Sequence, residues 1–152
     1  MKSLIGVVIA LASLTACAQT ATLDESSAFQ ELTDGSCTSG QAQFVQEHIA
    51  GQIAALSNED WESAYSYAAP GFQEVVGLDQ FIFVITSQYQ MLISNESVEY
   101  GSCSIAAKEI TQLVSVTSDN ELSELTYSLS HDGQELGIES AATIVSEPQT
   151  SI

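Results

Sequence analysis

The chain reads as an α+β domain, three N-terminal helices packed on one face of a curved antiparallel sheet of about four strands. Two features of its apolar spacing predict this. Between Gly40 and Ile93 apolar residues recur every three or four positions, and after Asn95 they recur every second one. The third observation is His131-Asp132-Gly133-Gln134, an Asp-Gly step between two alternating runs, which predicts a hairpin with positive φ at both turn positions. At 152 residues the chain is long enough for one domain with a proper core and too short for two comfortable ones.

The first helix is predicted from Gly40, where Phe44, Val45, Ile49, Ile53 and Leu56 form one stripe. Ser57 with Asp60 then fits a capping box that opens a second helix, and the acids at 59, 60 and 62 suit its positive end. Trp61, Ala64, Tyr65 and Ala68 make its buried stripe, and Pro70-Gly71 stops it. Phe72 to Gly77 is expected as a connection. A third helix is predicted from Leu78 to Ile93, capped at Asp79, with Phe81, Ile85, Tyr89 and Leu92 facing one way. A buried strand over Phe81–Thr86 is the alternative, and the length of the pattern favours helix.

In the second half Val98, Tyr100 and Ser102 alternate with Glu99, Gly101 and Cys103 as a first strand. Ile110, Val114 and Val116 mark the next, Leu122, Leu125, Tyr127 and Leu129 the third, and Leu136 and Ile138 the last, with Ala142 and Ile144 continuing it. Residues 148–152 are expected as a disordered tail.

The N-terminus carries an address. Met1-Lys2-Ser3 and the apolar run Leu4–Leu14 form a signal peptide over residues 1–16. A membrane helix needs about 20 apolar residues, and this run is far shorter. Its end, Leu14-Thr15-Ala16-Cys17, resembles the lipobox of bacterial lipoproteins, in which the Cys is acylated and becomes the first residue of the mature chain. An ordinary secretory peptide with a chance Cys is the alternative. Two or three acyl chains on Cys17 would hold the protein on a membrane, at about 0.8 kcal/mol per buried methylene. Residues 17–36, polar and without period, then read as a flexible tether ahead of a domain over 37–147. Ala18 is not the Asp of inner-membrane retention, which points to the outer membrane if the host is Gram-negative.

Three cysteines are an odd number for a secreted chain. With lipid on Cys17, Cys37 and Cys103 are left as a disulfide pair in an oxidising compartment, or as two buried thiols. A bond closing that long loop would contribute about 4 kcal/mol. Of the cations, Lys2 leaves with the leader, so Lys108 stands alone against 20 carboxylates. Such a surface repels phosphate backbones and excludes a nucleic-acid partner. It reads as adaptation to a salty medium, or as a docking face for a cationic partner.

The motif Asp60-x-x-x-Ala64-Tyr65-x-x-Ala68-x-Pro70, followed by Phe81, Ile85 and Tyr89, is similar to the cone-shaped nuclear transport factor 2-like proteins, also called SnoaL-like or cystatin-like. More narrowly it resembles a bacterial group known as domain of unknown function 4864. The lumazine-binding-like lipoprotein domain shares the cone. The resemblance covers roughly residues 41–145 and implies a sheet wrapped around a hydrophobic hollow lidded by helices. Folds of this kind host isomerases, dehydratases, binders and interaction modules, so the fold does not fix a reaction.

Candidate chemistry is sparse. His48, at the edge of the first stripe, is either a base facing the hollow or a boundary core residue. Tyr65, Tyr89, Tyr100 and Tyr127 are either donors lining a ligand pocket or amphipathic packing. His131, beside the turn, is expected in solvent. No motif for metal, phosphate or nucleophilic catalysis occurs, and neither a metal nor a cofactor is expected. The expected function is that of a membrane-anchored envelope lipoprotein whose non-catalytic domain binds a small apolar molecule or an envelope protein partner. The alternative is an isomerase- or dehydratase-like enzyme using the hollow.

Overall fold

The computed structural model describes residues 24–144. The signal peptide, Cys17 and the tail 148–152 lie outside the described residues. Within them the α+β class holds, with the helical half first and a five-stranded antiparallel sheet in the order β1-β2-β3-β4-β5 after it. Helices and strands are both more numerous than the spacing predicts, because the third expected helix is broken, the expected connection after Pro70 is helical, and the N-terminal segment adds an element of each kind.

The helices are α1 (Glu25–Ala28), α2 (Ser39–Ser57), α3 (Trp61–Ser66), α4 (Pro70–Val75), α5 (Leu78–Gln88) and α6 (Gln90–Ile93). A capping box opens α2: Thr38 Oγ1 accepts from Gln41 N at 3.2 Å, and Gln41 Oε1 accepts from Thr38 N at 2.9 Å. Val45, Ile49, Ile53 and Leu56 are buried, as their spacing requires. Ser57 belongs to the end of α2, where its hydroxyl donates to Ile53 O. The cap of α3 is therefore Asp60 alone, accepting from Ser63 N at 3.2 Å. Pro70 does end the preceding stripe, but it also opens α4 at its first position, where a missing N–H costs nothing. Residues expected as a connection are thus helical. The cap position of α5 is Gly77, with Asp79 in the first turn, and the helix breaks at Tyr89 before α6 resumes.

The strands are β1 (Gly35–Ser36), β2 (Ser97–Ala106), β3 (Glu109–Ser118), β4 (Glu121–His131) and β5 (Leu136–Thr143). Two-residue hairpins join the middle three, with positive φ at Ala107-Lys108 and at Asp119-Asn120. The Asp132-Gly133 connection is looser. There only Gly133 has positive φ, and Asp132 Oδ1 accepts from Gln134 N and Glu135 N at 2.8 and 3.0 Å.

Between Tyr100↔Val114 and Cys103↔Gln112 the register of β2 slips, so Gly101 and Ser102 oppose Leu113 alone. The bulge resets the alternation. Ser102, expected inward, is exposed, while Cys103 and Ile105 face the core. Gln112 fills the irregularity: its amide donates to Gly101 O at 3.0 Å and Leu113 O at 2.8 Å.

Residues 24–36, expected as tether, are part of the domain. Phe29 is 4% exposed and packs in the core, Gln41 Nε2 donates to Ala28 O, and β1 pairs with β2. A single aromatic residue is enough to dock a segment that is otherwise polar. The ring of Phe29 stacks on His131 at 4.8 Å. The His131 side chain is consequently 2% exposed, not solvated. Its Nδ1 accepts from Gly133 N, so the neutral ring carries its proton on Nε2, 3.8 Å from Glu25 Oε1. Cys37 and Cys103 form a disulfide with Cα atoms 5.4 Å apart, closing a 66-residue separation.

Candidate functional site

Helices α4, α5 and α6 lean over β4 and β5 without filling the space between, leaving a hollow of about 200 Å3. Its walls are apolar, built largely from Phe72, Val76, Phe81, Ile85, Leu92 and Ile138. Gln80, Glu139 and Ser140 also line it and are exposed, which places its mouth there.

Local sequence explains the shape. Pro70 turns the chain into α4, and the preceding Tyr67–Ala69 runs alongside β5 as a parallel bridge at Ile138. Ala69 N donates to Ile138 O, and Ile138 N donates to Tyr67 O, both at 2.9 Å. Tyr65 Oη donates to Val76 O at 2.6 Å, holding the end of α4 in place. The break at Tyr89 lets its hydroxyl donate to Ala141 O at 2.6 Å, which binds the helical layer to the sheet edge. Together these contacts prop the helices off the sheet.

Two polar side chains stand in the inner wall. Tyr127 is fully buried, and among the described residues its hydroxyl has no hydrogen-bond partner. Burial, first, and then the proximity of Tyr100 and Tyr89 hold its phenol well above the ordinary tyrosine range, so it remains a neutral donor. Gln52 is 5% exposed, with its amide donating to Ala64 O across a long 3.4 Å.

Of the residues singled out from sequence, the hollow gathers Tyr89 and Tyr127. Tyr100 packs half-buried against the core with its pKa raised by burial, and does not line the hollow. His48 and Tyr65 line a separate, more polar groove of about 350 Å3 with Glu62, Asp132 and Glu135. There His48 Nε2 donates to Tyr67 O at 3.0 Å. A base at 48 and a donor at 127 thus belong to different cavities. Gln52 was missed although its position was readable: it falls on the 45/49/52/56 stripe of α2, a polar residue on a buried face. Phe72 carried no such signal, because its segment gave no period of its own.

Among the described residues no three His, Cys, Asp or Glu side chains are grouped to hold a metal ion. None of the described helices is long and apolar enough to cross a membrane. Neither a curated protein nor a solved structure matches the chain. A family does match, over residues 38–150, from the capping box of α2 past the end of β5: the chain belongs to the family described as Domain of unknown function (DUF4864).

Proposed function

We propose that the protein is a membrane-anchored envelope lipoprotein, held through acyl chains on Cys17, whose domain binds a small apolar molecule without transforming it. The domain is read as a nuclear transport factor 2-like (SnoaL-like) cone. Helices propped over a curved sheet around a hollow support that reading. One observation carries the binding role: an apolar, open hollow of about 200 Å3 beside a core in which Ile49, Leu56, Leu92, Leu125 and Leu129 are fully buried.

The alternative reading, an isomerase- or dehydratase-like reaction, needs a base beside the substrate. No His lines the hollow, and the acid that does among the described residues, Glu139, is exposed and accepts from Ser130 Oγ at 2.6 Å. The structure therefore favours binding.

The test is thermal unfolding of the extracted protein against a panel of small apolar molecules. A ligand at a hundred times its Kd stabilises by about 2.7 kcal/mol. Failure of every compound to raise the transition would end the binding role. Mass analysis of the same preparation tests the anchor: acyl chains on Cys17 and loss of residues 1–16 are expected, and an uncut, unmodified leader would refute it.

A further inference from the structure

We infer that the outer side of α4 and α5, the roof of the hollow, is a second contact with the bilayer: Val75 and Phe83 enter the lipid headgroup region and bring the mouth of the hollow to it. The inference rests on the proposed anchor at Cys17. It adds which face of the domain meets the lipid.

Val75 and Phe83 are the most exposed large apolar side chains among the described residues, at 81% and 68%. One such residue alone is ordinary. These two stand beside residues of the hollow's wall, Val76 and Val84, on consecutive helices. Phe83 follows Gln80 by three positions, so the two are neighbours on the surface of α5, and Gln80 lies at the mouth. Thr86 and Ser87, three and four positions further on, are exposed on the same side. Their hydroxyls turn back to the helix, Thr86 Oγ1 donating to Ile82 O at 2.8 Å and Ser87 Oγ to Phe83 O at 2.6 Å. Each hydroxyl therefore leaves water with a hydrogen bond already made.

Charge selects the occupant. The chain carries 20 acids, yet none lies between Asp79 and Glu96, the stretch that forms most of α5 and all of α6. Leu122 is almost as exposed as Phe83 but has Asp119, Glu121 and Glu124 close in sequence. A lipid surface with anionic headgroups is repelled least where acids are fewest. A cationic protein would be drawn to the acidic faces instead. A second copy would bring a further formal charge of −18 against the first.

The leash permits the contact. From Cys17 to Asp24 the chain spans at most about 25 Å. A domain of this length, with a radius of gyration of about 14 Å, can roll on it to lay any side on the lipid. One Phe and one Val bind weakly from solution, but the anchor makes their contact intramolecular, where weak affinity suffices. Glu74 and Asp79, both exposed beside the patch, confine entry to headgroup level. A ligand dissolved in the bilayer then reaches the hollow without an aqueous passage.

The test places the extracted protein in vesicles of phosphatidylethanolamine and phosphatidylglycerol, some lipids carrying a nitroxide high on the acyl chain. Phe83→Trp and Leu122→Trp each add a fluorophore at an exposed position, read above the Trp61 signal of the wild type. Phe83→Trp is expected to show blue-shifted emission, largely lost to the nitroxide, and Leu122→Trp to show neither effect. Adding Val75→Asp to Phe83→Trp should return part of the lost emission. Protein that floats with the vesicles without quenching at 83 would overturn the inference and leave the anchor standing. Equal quenching at 83 and 122, or quenching that Val75→Asp leaves unchanged, would also overturn it. A blue shift without quenching would mean that a protein, a second copy included, covers the face, and would overturn it too. If the protein does not float with the vesicles, the reading of Cys17 falls, and the inference with it.

Discussion

Gly137 of β5 lies directly against Ala69: a Cβ at residue 137 would stand 2.6 Å from Ala69 Cα and 3.1 Å from Ala69 N. The obstacle is backbone, pinned by the bridge to Ile138, and cannot swing away. Gly137→Ala should therefore destabilise by about 3 kcal/mol in denaturant unfolding. Gly51→Ala is the comparison. Its Cβ would meet the Tyr67 ring, with Cζ at 2.6 Å, but a half-buried side chain can move where backbone cannot. The cost at 51 should be clearly smaller, and the reverse order would contradict this account of the bridge.

Phe29→Ala should cost about 3 kcal/mol, as for a core aromatic, although the residue lies in a polar N-terminal segment. It should also uncover His131, whose ring stacks on Phe29. Hydrogen exchange at Gly133 N, which His131 Nδ1 now accepts from, is expected to quicken. A loss below about 0.5 kcal/mol would return residues 24–36 to the status of a tether.

Much of this domain was legible from apolar spacing and some was not, for reasons that differ by residue. The stripes of α2 and β4 were readable because each is long and regular, and each buried position repeats the same face. The phase of β2 was not, because two residues opposing one at Gly101-Ser102 shift every inward position beyond them. Pro70 marks both a stop and a start, and spacing alone reports the stop. His131 was placed in solvent on the strength of its Asp-Gly neighbours. What covers it is Phe29, 102 positions earlier in the sequence. Tyr127 was readable as inward, but its lack of a partner depends on Gln112 and Ala141 across the sheet, which no local pattern encodes.

Tyr127→Phe should stabilise the ligand-free protein by about 1–2 kcal/mol at neutral pH, since it removes a buried hydroxyl that bonds to nothing among the described residues. Its pKa is raised in the folded state, so the unfolded chain releases this proton first as pH rises. The wild type should accordingly lose stability above about pH 10, the ordinary tyrosine value. Tyr127→Phe should flatten that alkaline limb, and identical limbs would mean that the phenol is not protected as described.

Asp132 works at the other end of the scale. The N–H groups of Glu135, first, and Gln134 lower its carboxyl below the ordinary value. A lowered folded pKa gives stability that is present above the unfolded value, about 4, and is lost as pH falls through the folded one. Asp132→Asn keeps an acceptor in place but cannot titrate. Its unfolding midpoint should fall less steeply between about pH 4 and 2 than that of the wild type, as read by circular dichroism.

Reduction, or Cys103→Ser, should lower stability by up to about 4 kcal/mol through release of the loop closed by Cys37 and Cys103. Thiol titration of the denatured, unreduced protein should find neither of these sulfurs free. The pairing of β1 with β2 should loosen with the bond, since Cys37 N donates to Cys103 O beside it.

The docking of Phe29 and β1 also sets a distance. Were the chain loose as far as Cys37, the stretch from Cys17 could reach about 70 Å; with folding begun at Asp24, it reaches about 25 Å at most. On the proposed anchor, the domain is then held on a short leash, within about its own diameter of the lipid headgroups. A ligand of the proposed binding site would then be met at the bilayer surface and could not be ferried across an aqueous gap.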